Sequence, residues 1–198
     1  MSAPATFQRL LDYARAAHRD IAAVRDFCPF PDDLTEVPFT SFNVPSADYL
    51  ARDPYLNAQE LSPFAQAVFD AGADAHWRET YKDTDIDRDF MERFGAFAIV
   101  GPEAPWASTE YAGFVVYMPA GLWYPRHQHP AEELYYILAG EAEFQADGRE
   151  PRKVAAGDAV FHESNQPHAT LTHDKPFLAY VLWRNHLDVK PIWSNAPA

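Results

Sequence analysis

Between Gly121 and Gly140 the chain reads GLWYPRHQHPAEELYYILAG, which places two histidines, two glutamates and three tyrosines in a run that is otherwise largely apolar. If Arg126–His129 is extended, His127 and His129 are two apart and their side chains leave the same face of the strand. Pro130 then breaks the strand, and Glu133 opens the next one with Tyr135 and Ile137 on its own face. A His-x-His pair by itself reads as a surface pair. Two imidazoles and a carboxylate that converge inside a barrel have a more specific use, the binding of a divalent metal.

The elements that must position these residues fall into two parts. From Phe7 to Phe27 the apolar residues Phe7, Leu10, Leu11, Ala14, Ile21 and Val24 recur at helical spacing, with Thr6 as N-cap and CPFPDD as terminator. Residues 28–61 contain Pro29, Pro31, Pro38, Pro45 and Pro54, which predicts a long connection with little regular structure. SPFAQAVFDAGADAHWRETY predicts a second helix capped by Ser62 with Pro63 at its first position, and DTDIDRDFMERFG a short third one. After Gly95 the texture changes to short β-type runs: AFAIV, GFVVYM, ELYYIL, AEFQA, DAVFH, ATL and FLAYVLW, with Asp147-Gly148 as a hairpin signal. The expectation is a mostly-β protein with residues 1–95 as a helical N-terminal region packed on a small barrel, residues 96–198, that carries the metal site.

Composition narrows the function classes. In 198 residues, 47% are hydrophobic and 15% aromatic, which suits a globular β-rich chain with rings to spare for a pocket. A formal net charge of −13 argues against nucleic acid and anionic membrane surfaces as partners, since both require a basic footprint. Cys28 is the sole cysteine, so neither an intramolecular disulfide nor a thiolate metal cluster can form. Without a run of membrane-spanning length or a basic start followed by an apolar core, a soluble cytoplasmic protein is expected.

The spacing Gly121-x5-His127-x-His129-x3-Glu133-x6-Gly140 resembles the first metal-binding motif of the cupin superfamily without a deviation. GDAVFHESNQPHATL resembles the second, with Gly157 opening it and His168 closing it. Glu163 and Asn165 stand for the usual Pro and Gly, and Thr172 for a frequent asparagine. The resemblance implies a single cupin barrel (a double-stranded β-helix, or jelly roll). It also implies a divalent transition metal (Fe, Zn, Mn, Ni or Co) on His127, His129, Glu133 and His168. His162, six residues before His168 at the end of a strand run, competes for the fourth place. His18, His76, His173 and His186 are given no metal role, and Glu132 should face away from Glu133.

With HWRETY (76–81) upstream and YVLWRN (180–185) downstream, the first motif is similar to the cupin-type dimethylsulfoniopropionate (DMSP) lyases. The similarity covers the barrel and thins over the first sixty residues. It implies a metal-dependent carbon–sulfur lyase that yields dimethyl sulfide and acrylate, with Tyr124, Tyr135 and Trp183 at the family's tyrosine and tryptophan positions. The chemistry suits those residues. Dimethyl sulfide departs neutral, so no general acid is needed, but a base must remove the proton beside the carboxylate. A tyrosinate whose pKa a nearby metal lowers can do this, Tyr135 by first choice and Tyr124 by second. Aromatic faces hold a sulfonium by cation–π attraction, with Trp183, Tyr81 and Trp123 as candidates. In the structural alternative, Trp183 is barrel packing and Tyr135 only orients a ligand. The rival functions are an iron-dependent cupin dioxygenase and a non-catalytic cupin that binds a small molecule. The expected partner is a small zwitterionic substrate, and a homodimer is allowed.

Overall fold

A computed structural model of the chain describes residues 2–81, 84 and 86–194. The first helix, α1 (Ala5–Asp20), buries Phe7, Leu10, Leu11, Ala14 and Ala17, the face that the spacing marks out. It starts after Pro4 rather than under a Thr6 cap, and the Thr6 hydroxyl instead donates to Asp74 at 2.6 Å. Ile21 adopts an extended backbone, so the expected single helix is two, with α2 (Ala22–Phe27) turned to bring Val24 and Phe27 into the same core.

The proline-rich stretch is more ordered than the sequence suggests. It contains β1 (Thr35–Glu36), α3 (Pro45–Ala51) and α4 (Pro54–Asn57). Pro45 and Pro54 open helices, because the first helical position has no use for an N–H. Asp53 caps α4 by accepting from the Tyr55 and Leu56 amides at 3.0 Å each. The expected Ser62 cap is present on α5 (Pro63–Ala71), where its Oγ accepts from the Ala65 amide at 3.2 Å. That helix ends sooner than expected. A 3-10 turn at Gly72–Asp74 follows, and Trp77 then lies in extended chain bridged to Phe97 with its indole N–H donating to the Gly72 carbonyl at 2.7 Å. A short helix, α6 (Arg88–Arg93), forms where one was expected and is capped by Asp87; Asp83 and Asp85 of that stretch lie outside the described residues.

The β-rich part comprises β2 (Gly95–Val100), β3 (Trp106–Ala107), β4 (Ala112–Met118), β5 (Trp123–Gln128) and β6 (Glu132–Ala146). It continues through β7 (Arg152–Ala155), β8 (Ala159–His162), β9 (His168–Leu171), β10 (Phe177–Arg184) and β11 (Ile192–Trp193). Their order is β1-β3-β2-β4-β10-β6-β9-β5-β11, with β7 and β8 also paired to β6. ELYYIL and AEFQA are one strand of 15 residues rather than two. The first half of β6 pairs with β10 and β8, the second with β9 and β7. At the crossover Gly140 takes φ +74, and a Cβ there would sit 1.8 Å from the Pro176 carbonyl oxygen, so only glycine fits. This is the expected mostly-β architecture with a helical N-terminal region.

Strand alternation divides the core in two. On β10, Leu178, Tyr180 and Leu182 face the helices, whereas Phe177, Ala179, Val181 and Trp183 face the barrel interior. A strand covered on both sides reads as a continuous apolar run, which is why FLAYVLW has little polar alternation. His18 joins the layers: its Nδ1 lies 2.9 Å from the Cys28 carbonyl and its Nε2 3.1 Å from the Tyr180 hydroxyl. Among the described residues no helix is long and apolar enough to cross a membrane.

Candidate metal centre and its cavity

His127 on β5 and His168 on β9 are directly opposite in the antiparallel register, with ring centroids 4.2 Å apart. His129 follows one residue after β5, and its ring lies 5.4 Å from that of His168. Glu133, second residue of β6, reaches them through one oxygen: Oε2 is 3.3 Å from His129 Nε2 and 3.2 Å from His168 Nε2. His127, His129 and His168 therefore cluster, with Glu133 beside the last two, and all four are buried. The ligand atoms of His127, His129 and His168 lie within 4.8 Å of one another, as do those of Glu133, His162 and His168.

The backbone fixes which nitrogen of each ring faces that point. Nδ1 of His127 lies 2.9 Å from the Pro125 carbonyl, that of His129 2.9 Å from Ala131, and that of His168 2.8 Å from Gln166. A carbonyl oxygen only accepts, so each Nδ1 carries a hydrogen and Nε2 is the nitrogen left for a metal. Three lone pairs and a carboxylate that is 3% exposed thus converge with no fixed positive charge among them. Burying an uncompensated charge costs several kcal/mol, on the order of what a bound cation must offset. Burial alone would raise the Glu133 carboxyl, but the His129 and His168 imidazoles outweigh it and hold the group well below the usual carboxylate range. Against its own burial, the His129 imidazole is raised by Glu133. His127 is pushed well down by burial and then by His168. The donor set and its charge deficit fit a divalent transition metal.

A cavity of about 420 Å³ reaches Glu133 and is lined among others by Tyr81, Tyr124, Tyr135 and Trp183. Tyr135, two residues after Glu133 on β6, shares its inward face and is buried. Tyr124 stacks on His127 with centroids 4.0 Å apart and hydrogen-bonds through its hydroxyl to that of Tyr81. Burial raises both phenols well above their ordinary value, helped by Glu133 beside Tyr135 and by Tyr81 beside Tyr124. Positive charge placed beside either would bring it down.

Trp183 does more than pack. Its indole N–H donates to Glu133 Oε1 at 2.7 Å, and its ring lies over His129 with centroids 4.2 Å apart. Trp123 does not belong with the other aromatics. Because Tyr124 faces inward, its neighbour on β5 must face outward, and Trp123 is 42% exposed and away from the cavity. The sequence reading missed Trp193, which β11 places opposite His127 with its ring tilted against Tyr81 at 4.4 Å. A two-residue strand near the C-terminus gives no periodic signal by which to find it. Glu132 faces away as expected, bound to Arg184 and Asn185 at 2.9 and 3.0 Å. His76 bonds the Thr40 carbonyl, and His173 pairs with Glu143.

Comparison with known proteins gives one consistent picture. A family model described as dimethylsulfoniopropionate lyase matches residues 30–179. The dimethylsulfoniopropionate lyase DddQ of Ruegeria pomeroyi is 47% identical over 186 residues, 94% of this chain and 92% of that protein. The crystal structure of that lyase superposes with a TM-score of 0.93 at 45% identity, over 99% of this chain and 100% of the other. A chain from the crystal structures of the DMSP lyases RdDddP and RnDddQII superposes with a TM-score of 0.89 at 33% identity, over 96% and 98% of the two chains.

Proposed function

The chain belongs to the dimethylsulfoniopropionate lyase family, and from that premise we propose that it cleaves DMSP to dimethyl sulfide and acrylate by metal-dependent, base-catalysed β-elimination. The observation that supports the site assignment is the cluster of His127, His129 and His168, with Glu133 beside the last two and reaching a cavity that three phenols also line. His127, His129, Glu133 and His168 would hold the ion. When bound, a divalent cation there supplies positive charge that lowers a neighbouring phenol and draws electron density from a substrate carboxylate.

The remaining steps are for the side chains of the chain. Tyr135, as tyrosinate, takes the proton from the carbon next to the carboxylate. The C–H electron pair becomes the new double bond, the C–S bond breaks, and its electrons leave with sulfur as neutral dimethyl sulfide. Tyr124 is the second choice for base; its bond to Tyr81 gives its hydroxyl a partner within the cavity. Trp183 and Tyr81 supply aromatic surface for the sulfonium, worth on the order of 1–2 kcal/mol each when desolvated. Imidazole and carboxylate together suit Fe, Zn, Mn, Ni and Co alike. Headspace detection of dimethyl sulfide from purified, metal-loaded protein given DMSP tests the reading. Gas release that tracks metal content is expected, and its absence across all five ions would overturn it.

A further inference from the structure

Two of the imidazoles follow a break in regular strand, and both breaks are tied to the same residue, Asp147. On β5, Pro125 and Arg126 lie opposite the single residue Ala169 of β9, a bulge that ends at His127. The Arg126 guanidinium pairs with the Asp147 carboxylate just past the end of β6, and the Arg126 side chain is only 13% exposed. Ahead of β9, residues 163–166 form a turn. The Gln166 amide donates to the Glu163 carbonyl at 3.0 Å, and Asn165 takes φ +56, a turn conformation that suits Gly or Asn. The Asn165 amide donates to the His129 carbonyl at 2.8 Å, and the Ser164 hydroxyl to the Pro130 carbonyl at 2.7 Å. The turn therefore grips the segment that follows His127 before it delivers His168.

Gln166 closes this turn with its side chain and carries it to Asp147. Its Oε1 accepts from the Glu163 amide at 3.2 Å, and its Nε2 donates to the Asp147 carbonyl at 2.8 Å, 19 residues away in the chain. The Asp147 amide in turn donates to the Pro167 carbonyl at 3.0 Å. Between these anchors lies the Gln166 carbonyl, 2.8 Å from His168 Nδ1, the acceptor that decides where His168 Nε2 points. A glutamine needed only to close a surface turn would use Oε1 alone. The second bond joins the turn before His168 to the residue that also holds the bulge before His127. We infer that Gln166 is a positioning residue for the metal centre, whose side chain locks the carbonyl that aims His168 and keeps it in step with His127 through Asp147 and Arg126. The inference rests on the metal reading of the site.

Gln166→Met tests it, since methionine nearly matches the length of glutamine but loses both side-chain bonds. Competition of Zn²⁺-loaded protein against a chromogenic chelator should show metal affinity reduced about 10- to 100-fold. The proton on His168 Nδ1, followed by nuclear magnetic resonance, should exchange with solvent faster than in native protein. That on His129 Nδ1, held by the Ala131 carbonyl, should not change. A purely structural role would lower stability without moving either readout, so an affinity within about twofold of native would overturn the inference. Gln166→Glu keeps an acceptor for the Glu163 amide and loses only the donor to Asp147, so it decides the matter if the methionine variant does not fold. Its affinity should also fall tenfold or more, and a value within about twofold of native would again overturn the inference. Native protein that binds no Zn²⁺ would instead overturn the site assignment itself.

Discussion

Trp183→Phe separates two roles that the geometry gives to one residue. The indole N–H donates to Glu133 Oε1 at 2.7 Å, whereas Glu133 Oε2 faces the imidazoles. Phenylalanine keeps a ring over His129 but removes the donor, and the carboxylate is then held on one side only. A hydrogen bond to an ionised group contributes about 1.5–3 kcal/mol. At about 1.4 kcal/mol per factor of ten, metal affinity should fall about 10- to 100-fold. The assay is chelator competition on matched native and variant protein, followed by kinetics at saturating metal. If the indole also faces the sulfonium, KM stays raised once the metal is restored, because phenylalanine is the weaker cation–π partner. If it only orients Glu133, KM returns to the native value. Metal affinity within about twofold of native would refute the reasoning, whatever happens to KM.

Tyr135→Phe should keep metal and fold but lose about 10²- to 10⁴-fold in turnover, measured as dimethyl sulfide release; an unchanged rate would move the base role to Tyr124. Phe7→Ala removes a fully buried ring that meets Phe39 and Phe97 at 5.2 and 5.9 Å. It should cost about 3–5 kcal/mol in urea unfolding. A single transition for helical and barrel signals is expected if residues 1–95 and 96–198 are one cooperative unit, and separate transitions would divide them. Burial lowers the His18 imidazole, with the Cys28 carbonyl offsetting part of the effect. Its folded value therefore lies below the unfolded one, about 6.5. The stability it contributes is complete above that pH and is lost as pH falls from about 6.5 toward the folded value. In urea titrations the loss between about pH 7.5 and 5.5 should be smaller in His18→Gln. An equal loss would assign the effect to the other buried imidazoles.

Much of this site is legible in the sequence because its residues sit at short, fixed intervals. His127, His129, Glu133 and Tyr135 span nine positions, and the period-two rule alone assigns their faces. His168 comes from a distant strand, so spacing alone could not bring it in; the second motif did, and the β5–β9 register places it opposite His127. Trp123 shares parity with His127 and His129, so plain alternation puts it inside; the register irregularity between Tyr124 and His127 reverses the faces and brings Tyr124 in instead. Pro45 and Pro54 were read as breakers although proline is equally an initiator, and the choice depends on the following residues packing, which is a tertiary matter. The Trp183 bond to Glu133 was beyond any local signal, since it joins residues 50 apart.

One strand, β6, carries Glu133 and Tyr135 in its first half and, past Gly140, the bend into the second sheet. Both partners of that first half, β8 and β10, read their register from it, and they deliver His162 and Trp183. The loss or gain of a single residue between Leu134 and Leu138 would turn half of these groups to the helical side with composition nearly untouched. Length variation in this protein therefore belongs in surface turns such as 148–151, and the span from Glu133 to Gly140 behaves as a ruler that evolution can recolour but not recut.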